Sequence, residues 1–402
     1  MRKTVLVLLM SLLIVVWGAT IYFAMKNGSD RAEKTIETTE MTSETTTETT
    51  KETTEHKETT VTETSAEPEE TSIEDISPTT RKIDEVNIDT LREYRVNETG
   101  QIYILNFHGF IQDDLADTFS DRHYTMTFSQ FRKTLLFLYD NDYRPITMDE
   151  FLRGNIDVPL GKIPIVLTFD DGRAGQFNLV EKNGELIVNP DSAVGIWIEF
   201  NEEHPDFKLK GTFYVNLGVS TFDGSGTLAE RLRYMIDLGF EIGNHTYSHE
   251  ALRLMTEKDD VIYQMGKNQE VMESLVPGYK FTSLALPFGE DVRVEELRDY
   301  VVKGNYLGTE YNNIGVLDCK WRPSFSPFDT DFDTRLIYRV RADGLEPVDC
   351  DMSDWMLNKL TTKKGQYISD GDPQTVTVPE SLKSKLDEEA VADKKIITYN
   401  LD

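Results

Sequence analysis

Residues 163–172 read IPIVLTFDDG, and this stretch decides the fold. A mostly apolar run from Ile163 to Phe169 is typical of a strand that is buried on both faces, as in parallel sheets covered by helices. Two carboxylates, Asp170 and Asp171, and the turn residue Gly172 follow the run directly. Because functional groups gather at the carboxyl ends of parallel strands, this stretch predicts both an α/β fold and a site.

Strand and helix signals alternate on both sides of this stretch. Further strands are predicted at residues 102–107, 211–215, 240–243, 283–286 and 396–399. Helices are predicted at residues 128–139, 228–238 and 261–275. This alternation indicates a parallel α/β architecture. About seven strands of this kind favour a distorted (β/α)7-type barrel over an open sheet.

Histidines follow two of the other predicted strands. His245 and His249 are spaced i, i+4, which lets both rings reach one metal ion if the segment turns once. His108 follows the strand at residues 102–107. Each signal alone also fits a turn or an ordinary histidine. Together, Asp171, His245 and His249 form a two-His, one-carboxylate set with open positions, which is typical of catalytic metal sites.

Two of these motifs resemble those of the polysaccharide deacetylase family (carbohydrate esterase family 4), which carries Thr-Phe-Asp-Asp-Gly and His-(Ser/Thr)-x-x-His. Both are complete here, as residues 168–172 and 245–249. The resemblance covers residues 100–290 well and the remainder more loosely. It implies that Asp170 is the general base and that Asp171, His245 and His249 hold a divalent metal, most commonly Zn²⁺.

The chain departs from the family pattern at two places. An arginine that orients the base is replaced by Ala285, and the sequence leaves open whether Arg322, Arg339 or Arg341 substitutes for it. The C-terminal Leu-x-His motif is missing. A permuted subgroup that includes poly-N-acetylglucosamine deacetylases places this histidine before the Asp-Asp motif, which identifies His108 as the general acid by resemblance.

The resemblance also suggests residues that contact the substrate. The backbone N–H of Tyr214 is expected to stabilise the oxyanion, Pro287 and Phe288 belong to a third motif, and Asp354 with Trp355 resembles an Asp-x-x-Asp-Trp motif. The segment at residues 181–208 is an insertion that we expect to shape a substrate groove. Aromatic residues that could stack on sugars, or else pack in the core, are Trp197, Phe222, Trp321 and Trp355.

The N-terminal part of the chain is unlike the rest. Residues 1–26 contain a basic start and an apolar run of about 20 residues, the length that spans a bilayer. This favours an uncleaved anchor, with a cleaved signal peptide as the alternative. Residues 27–81 form a Thr/Glu-rich tract too poor in apolar residues to fold, so a disordered stalk is expected. Residues 82–402 are the expected catalytic domain.

Charge and cysteine content exclude several classes of protein. The formal net charge of −29 argues against nucleic-acid binding, because such a surface repels phosphate groups. Two cysteines, Cys319 and Cys350, are too few for a disulfide scaffold, and the sequence does not decide whether they pair.

The expected function is metal-dependent removal of N-acetyl groups from a cell-envelope polysaccharide of the peptidoglycan or poly-N-acetylglucosamine type. The enzyme is expected outside the cytoplasm, attached to the cell membrane by a single span, or secreted if the leader is cleaved. The alternatives are an O-acetyl polysaccharide esterase and a catalytically silent carbohydrate-binding domain. A glycosidase is disfavoured because adjacent Asp170 and Asp171 cannot flank a glycosidic bond at the separation of roughly 5–9 Å that such enzymes need.

Overall fold

The computed structural model describes residues 87–345 and 354–401. The predicted anchor and stalk, at residues 1–26 and 27–81, lie outside the described residues. Among the residues that are described, no helix combines the length and the apolar character that crossing a membrane requires.

The elements alternate along the chain as the sequence predicts. The strands are β1 (Tyr103–Phe107), β2 (Gly109–Ile111), β3 (Thr125–Thr127), β4 (Tyr143–Ile146), β5 (Ile163–Phe169), β6 (Leu179–Lys182), β7 (Glu185–Val188), β8 (Thr212–Val215), β9 (Glu241–Asn244), β10 (Ser283–Ala285), β11 (Lys303–Tyr306), β12 (Thr309–Asn312), β13 (Gly315–Leu317), β14 (Val340–Arg341), β15 (Thr375–Pro379) and β16 (Lys395–Tyr399). The α-helices are α1 (Ile88–Tyr94), α2 (Phe128–Asp140), α3 (Met148–Leu152), α4 (Ala193–Glu203), α5 (Leu228–Asp237), α6 (Lys258–Leu275), α7 (Arg298–Val302) and α8 (Asp354–Thr362).

A parallel sheet forms the centre of the molecule, which confirms the predicted α/β class. Its strand order is β13-β10-β9-β8-β5-β1-β14, and β4 also pairs with β5. Strand β5 pairs with β1 along five residues, and its other edge pairs first with β4 and then with β8. A parallel bridge between Leu317 and Ile337 joins β13 to the segment that leads into β14. This bridge connects the two ends of the strand order.

Both faces of β5 are buried, which explains its continuous apolar sequence. Ile165, Leu167 and Phe169 pack in a cluster that includes residues of α2, α4 and α5. Val166, on the opposite face, packs in a second cluster to which several other strands contribute. The members of this second cluster include Ile104, Val166, Tyr214, Ala285 and Leu317.

Local sequence signals fix where the covering helices begin. Helix α2 starts after Thr127, whose hydroxyl accepts from the backbone N–H of Gln130 while the Gln130 side chain accepts from the backbone N–H of Thr127. Helix α5 starts in the same way after Thr227, with Glu230 as the partner. Such reciprocal caps satisfy N–H groups that a helix leaves unpaired, at about 1 kcal/mol each.

The last predicted strand forms, but it lies outside the main sheet. Strand β16 pairs with β15 in a separate two-stranded parallel sheet. The position beside β1 is occupied instead by the short strand β14. Strand β14 was not predicted, because two residues are too few to show an alternating pattern. Strand β4 was not predicted, because a proline such as Pro145 is unfavourable inside a strand.

Candidate active site

The functional side chains meet at the carboxyl edge of the parallel sheet. His108 follows β1, Asp170 and Asp171 follow β5, and His245 follows β9. These strands are parallel, so their ends meet at the same edge. A cavity of about 410 Å³ opens there, and its lining includes His108, Asp170, Asp171, Arg173, His245, His249, Phe288, Trp321 and Arg339.

The structure brings together the three predicted metal ligands. The Nε2 atoms of His245 and His249 lie 3.5 Å and 3.4 Å from Oδ1 of Asp171. One ligand atom from each residue fits within a span of 4.8 Å. Both Asp171 and His249 adopt left-handed backbone conformations, with φ of 78° and 56°, which are uncommon outside glycine. The chain therefore accepts backbone strain in order to direct these side chains at one point.

The donor chemistry of this cluster fits a divalent cation. Nδ1 of His245 lies 2.8 Å from the carbonyl oxygen of Ala285, which can only accept, so Nδ1 carries a proton. In the neutral ring, Nε2 then carries a lone pair that is directed at Oδ1 of Asp171. Neither atom can donate a hydrogen bond to the other, so a cation bound between them would stabilise both. Two imidazoles and one carboxylate with positions left open are typical of catalytic zinc sites.

Burial and neighbouring charges shift the pKa values of two of the predicted metal ligands. Burial would raise the pKa of Asp171, but the hydrogen bond and charge that His245 offers when its Nε2 is also protonated lower that pKa well below its usual range. Burial and the neighbouring His245 lower the pKa of His249. A neutral imidazole is the form that binds metal, so the lowered pKa of His249 favours binding.

Arg339 holds the second carboxylate of the motif, Asp170. Its Nη1 donates to Oδ1 of Asp170 at 2.8 Å, and its Nη2 donates to Oδ2 at 2.9 Å. Both side chains are almost fully buried. Burial alone would raise the pKa of Asp170, but the charge and hydrogen bonds of Arg339 outweigh it and lower that pKa. Asp170 is thus ionised and fixed in orientation.

This contact shows which of the three candidate arginines pairs with Asp170. Arg339 makes it, whereas the guanidinium of Arg322 lies 3.9 Å from the ring centroid of Tyr338. Arg341 lies over the ring of Tyr124 at 5.0 Å.

His108 lies on the other side of Asp170 and is held by Asp343. Nδ1 of His108 lies 2.8 Å from Oδ2 of Asp343, and the His108 backbone N–H donates to the same oxygen at 2.6 Å. Nε2 of His108 lies 3.9 Å from Oδ2 of Asp170. Burial alone would lower the pKa of His108, but the charge and hydrogen bond of Asp343 raise it above its usual value. The raised pKa favours the protonated ring, which is the form that can donate a proton.

Arg173 donates hydrogen bonds to Oδ2 of Asp171, whereas the two histidines lie near Oδ1. Its Nε and Nη2 donate to Oδ2 of Asp171 at 2.9 Å and 2.8 Å. Its Nη1 lies 3.4 Å from Oδ2 of Asp121. Oδ1 of Asp171 is left directed at the histidines, so Arg173 favours binding of metal through one oxygen only.

Sequence reasoning did not identify Asp343 or Arg173. A signal existed for both: Arg173 follows the Asp-Asp-Gly motif directly, and Asp343 lies just beyond the short strand β14. Because β14 was not predicted, Asp343 could not be placed at a strand end.

The predicted substrate-contact residues have different environments. The ring of Tyr214 is buried and its hydroxyl lies 2.8 Å from Oγ of Ser283, so any contact with substrate would use its backbone. Pro287 is buried at the start of a short 3-10 helix, and the exposed Phe288 lines the cavity. Asp354 and Trp355 begin α8, and their side chains are not among those described.

The remaining aromatic candidates are either buried in the core or exposed at the cavity. Trp197 and Phe222 are fully buried, whereas Trp321 is exposed and lines the cavity. Residues 181–208 form most of the hairpin β6–β7 and the helix α4, and none of them is among the cavity-lining residues that the structure describes. Cys319 lines the cavity, and Cys350 lies outside the described residues.

A sequence comparison finds one family that matches part of the chain. The sequence model of the family described as polysaccharide deacetylase matches residues 205–305, which include His245 and His249. No curated protein sequence matches the chain.

Similar solved structures include a polysaccharide deacetylase from Bacillus cereus, with 18% identity and a TM-score of 0.45, covering 61% of this chain and 66% of that one. The deacetylase PplD from Streptococcus pyogenes, in complex with acetate, has 16% identity and a TM-score of 0.45, covering 60% and 92%. A de-N-acetylase from Aggregatibacter actinomycetemcomitans has 12% identity and a TM-score of 0.43, covering 60% and 95%.

The matched segment supplies both motif histidines, and the sheet places them against the Asp-Asp motif of β5. Over residues 205–305 the chain is similar to the polysaccharide deacetylase family.

Proposed function

We propose that this protein hydrolyses N-acetyl groups of a cell-envelope polysaccharide, of the peptidoglycan or poly-N-acetylglucosamine type, with the help of a bound divalent metal, most suitably Zn²⁺. The observation that carries the proposal is the position of Asp170 between two groups. On one side is the set Asp171, His245 and His249, and on the other is His108, with Nε2 3.9 Å from Asp170.

Asp171, His245 and His249 would hold the metal. When bound, a divalent metal supplies Lewis-acid polarisation of the acetamide carbonyl and raises the acidity of water at the site. Arg173 donates to the second oxygen of Asp171, so Asp171 would supply one ligand oxygen only.

Asp170 would act as the general base. It is ionised, it lines the cavity, and Arg339 fixes both of its oxygens. It removes a proton from the water that adds to the acetyl carbonyl carbon. A carboxylate held in one orientation loses little entropy when the transition state forms, which is the usual advantage of such positioning.

His108 would act as the general acid. Its Nδ1 is engaged by Asp343, so Nε2 is the atom that faces Asp170 and the cavity. As the carbon–nitrogen bond breaks, the Nε2 proton passes to the departing amine, and acetate and a free amino sugar are formed. The raised pKa of His108 supports this role, because an amine leaves readily only when it is protonated.

The proposal includes the permuted motif order, in which the acid precedes the Asp-Asp motif. His108 after β1 supports it, since β1 is the neighbour of β5 in the sheet. Attachment to the outer face of the cell membrane is also part of the proposal. It rests on the sequence of residues 1–81 alone.

A substrate panel tests the proposal. The full chain, in detergent and loaded with Zn²⁺, is incubated with N-acetylglucosamine oligomers, poly-N-acetylglucosamine, peptidoglycan and acetylated xylan, with and without a chelator. We expect acetate and free amine in equal amounts, and loss of both with the chelator. Acetate from xylan alone would indicate an O-acetyl esterase. Bound metal without acetate from any substrate would indicate a catalytically silent binding domain.

A further inference from the structure

The two predicted metal-ligand histidines lie on a loop without regular structure. Residues 245–249 form neither a helical turn nor a strand, so helix geometry does not bring the rings of His245 and His249 together. Thr246 and His249 have φ of 66° and 56°, in the left-handed region that residues with a side chain rarely adopt. A backbone of this kind persists only where surrounding contacts hold it.

Helix α6 supplies such contacts from buried amide residues on the face that it turns to the loop. Nδ2 of Asn268 donates to Oδ1 of Asn244 at 2.9 Å, and the same oxygen accepts from the backbone N–H of Thr246 at 2.9 Å. The backbone carbonyl oxygen of Gln264 accepts from the N–H of Tyr247 at 2.9 Å. The first half of the loop is therefore tied to α6 by hydrogen bonds.

The side chain of Gln264 anchors the residue directly before His249. Its Oε1 accepts from the backbone N–H of Ser248 at 3.0 Å, and its Nε2 donates to Oγ of Ser248 at 2.8 Å. Gln264 is 5% exposed, so water does not readily replace either bond. It is not among the cavity-lining residues in the part of the chain that the structure describes, so it can act on the site only through the loop.

We propose that Gln264 is a positioning residue of the metal site, a role that rests on the proposed function because that function needs the metal. By holding Ser248, it keeps Nε2 of His249 close to Oδ1 of Asp171, at 3.4 Å, and thereby sets the affinity for the cation. A ligand that is fixed before the metal arrives loses little freedom on binding, so an anchored loop binds metal more tightly than a mobile one.

The same helix contains a matched control residue, Gln269. It is fully buried and also holds a loop with both ends of its amide. Its Oε1 accepts from the N–H of Phe281 at 2.9 Å, and its Nε2 donates to the carbonyl oxygen of Tyr279 at 2.8 Å. That loop leads into β10 and carries none of the three predicted ligands. Gln269 therefore matches Gln264 in residue type, helix and burial, and differs in the segment that it anchors.

The test compares Gln264→Met with Gln269→Met in the full chain in detergent. Methionine is close to glutamine in length and volume, so each substitution removes the amide with little change in packing. Zinc affinity is measured by competition of the metal-free protein with a chromophoric chelator. Stability is measured by urea unfolding of the same metal-free protein.

We expect both variants to lower the urea midpoint by similar amounts, because each leaves a buried backbone N–H without its acceptor. Only Gln264→Met should weaken zinc binding, by about 10–100-fold, which is the usual loss when a residue that orients a metal ligand is removed. Equal zinc affinity of the two variants would overturn the proposal, whether both keep the affinity of the unmodified protein or both lose it.

A double-mutant cycle tests whether Gln264 acts through His249. The variant His249→Gln lacks the imidazole that Gln264 positions, so adding Gln264→Met to it should change zinc affinity by less than about twofold. A loss as large as in the unmodified background would overturn the proposal. If Gln264→Met does not fold, Ser248→Ala replaces it, since it removes only the bond between Nε2 and the hydroxyl. Unchanged zinc affinity in that variant would likewise overturn the proposal.

These measurements separate the role of Gln264 from the proposed reaction. Zinc that is bound with the expected difference between the variants, without acetate release from any substrate, would contradict the deacetylase reaction and support the role of Gln264. An unmodified protein that binds no zinc would overturn that role together with the metal dependence of the proposed function.

Discussion

Arg339 donates hydrogen bonds to both carboxylate oxygens of Asp170, at 2.8 Å and 2.9 Å, although the two residues are 169 positions apart in the sequence. The pair is almost fully removed from solvent, and Nη1 of Arg339 also lies 3.2 Å from the hydroxyl oxygen of Thr168. Taking two charges out of water is costly unless their geometry and remaining hydrogen bonds are satisfied. This pair meets that condition, and Arg339 sets the charge and orientation of Asp170.

Replacing Arg339 should therefore be severe. Arg339→Met leaves the Asp170 carboxylate buried without its partner, and we expect the free energy of unfolding at neutral pH to fall by about 3–5 kcal/mol. Urea unfolding measures this. Arg322→Met, which removes an exposed guanidinium from the ring of Tyr338, should change stability by less than about 1 kcal/mol. Equal stability of the two variants would contradict the structural role of Arg339.

The same pair predicts how stability depends on acidity. The pKa of Asp170 is lowered in the folded protein, so its contribution is present above the pKa of the unfolded chain and is lost as pH falls through the folded value. In Arg339→Met the guanidinium no longer lowers the pKa of Asp170. The difference in stability between the two proteins should thus shrink on acidification, and a constant difference from neutral to acidic pH would contradict this account.

Asp343 should control the pH range in which the enzyme works. It raises the pKa of His108, so the protonated acid persists to higher pH. Activity that needs this proton falls as pH rises through that pKa. In Asp343→Asn the raising charge is lost, so we expect the alkaline limb of the kcat profile to move to lower pH, with kcat reduced about 10–100-fold at neutral pH.

A matched control for this variant is Asp329→Asn, which changes a buried carboxylate that pairs with Lys385 away from the site. It should leave the position of the alkaline limb unchanged. If both variants shift the alkaline limb equally, the shift results from general destabilisation of the protein. Asp343 would then not be what raises the pKa of His108.

His249 should be needed for metal binding. Removing its imidazole leaves Asp171 and His245 as the only remaining members of the set, and two ligands hold a divalent ion weakly. Zinc content after dialysis, measured by atomic absorption, should fall well below one equivalent in His249→Gln. The control His204→Gln changes a histidine that packs against Tyr139 and Phe200, and it should retain its zinc.

Arg173 should tune metal affinity without being a ligand. It occupies Oδ2 of Asp171, and removing a partner of this kind commonly weakens metal binding by about 10–100-fold. Competition of Arg173→Ala with a chromophoric chelator measures the change directly. Arg132→Ala removes an exposed ion pair with Glu199 and should have no effect on zinc affinity. Unchanged affinity in Arg173→Ala would show that Asp171 is oriented without it.

Strong local signals made part of this structure predictable. The apolar run of β5 was predicted with its observed bounds, because a short, mostly apolar run that ends at a turn is typical of a buried strand. The site residues Asp170, Asp171, His245 and His249 were predicted from motif spacing, and the parallel sheet brings their side chains together.

Other features depend on tertiary contacts that local patterns do not contain. Three arginines were equally suitable partners for Asp170 in the sequence, and only the course of the chain into β14 places Arg339 there. Asp343 was missed for the same reason, since β14 has two residues and no pattern of its own. The final strand was assigned correctly as a strand, but its partner β15 could not be identified from sequence.

The measurement that tests the central claim most directly is acetate release by Asp170→Asn. Both this variant and the unmodified full chain are loaded with Zn²⁺, their zinc content is measured, and both are given N-acetylglucosamine hexamer. The account predicts that the variant keeps its zinc, because Asp170 is outside the ligand set, and loses nearly all acetate release. Release at the unmodified rate by the zinc-loaded variant would contradict the role of Asp170 as the base.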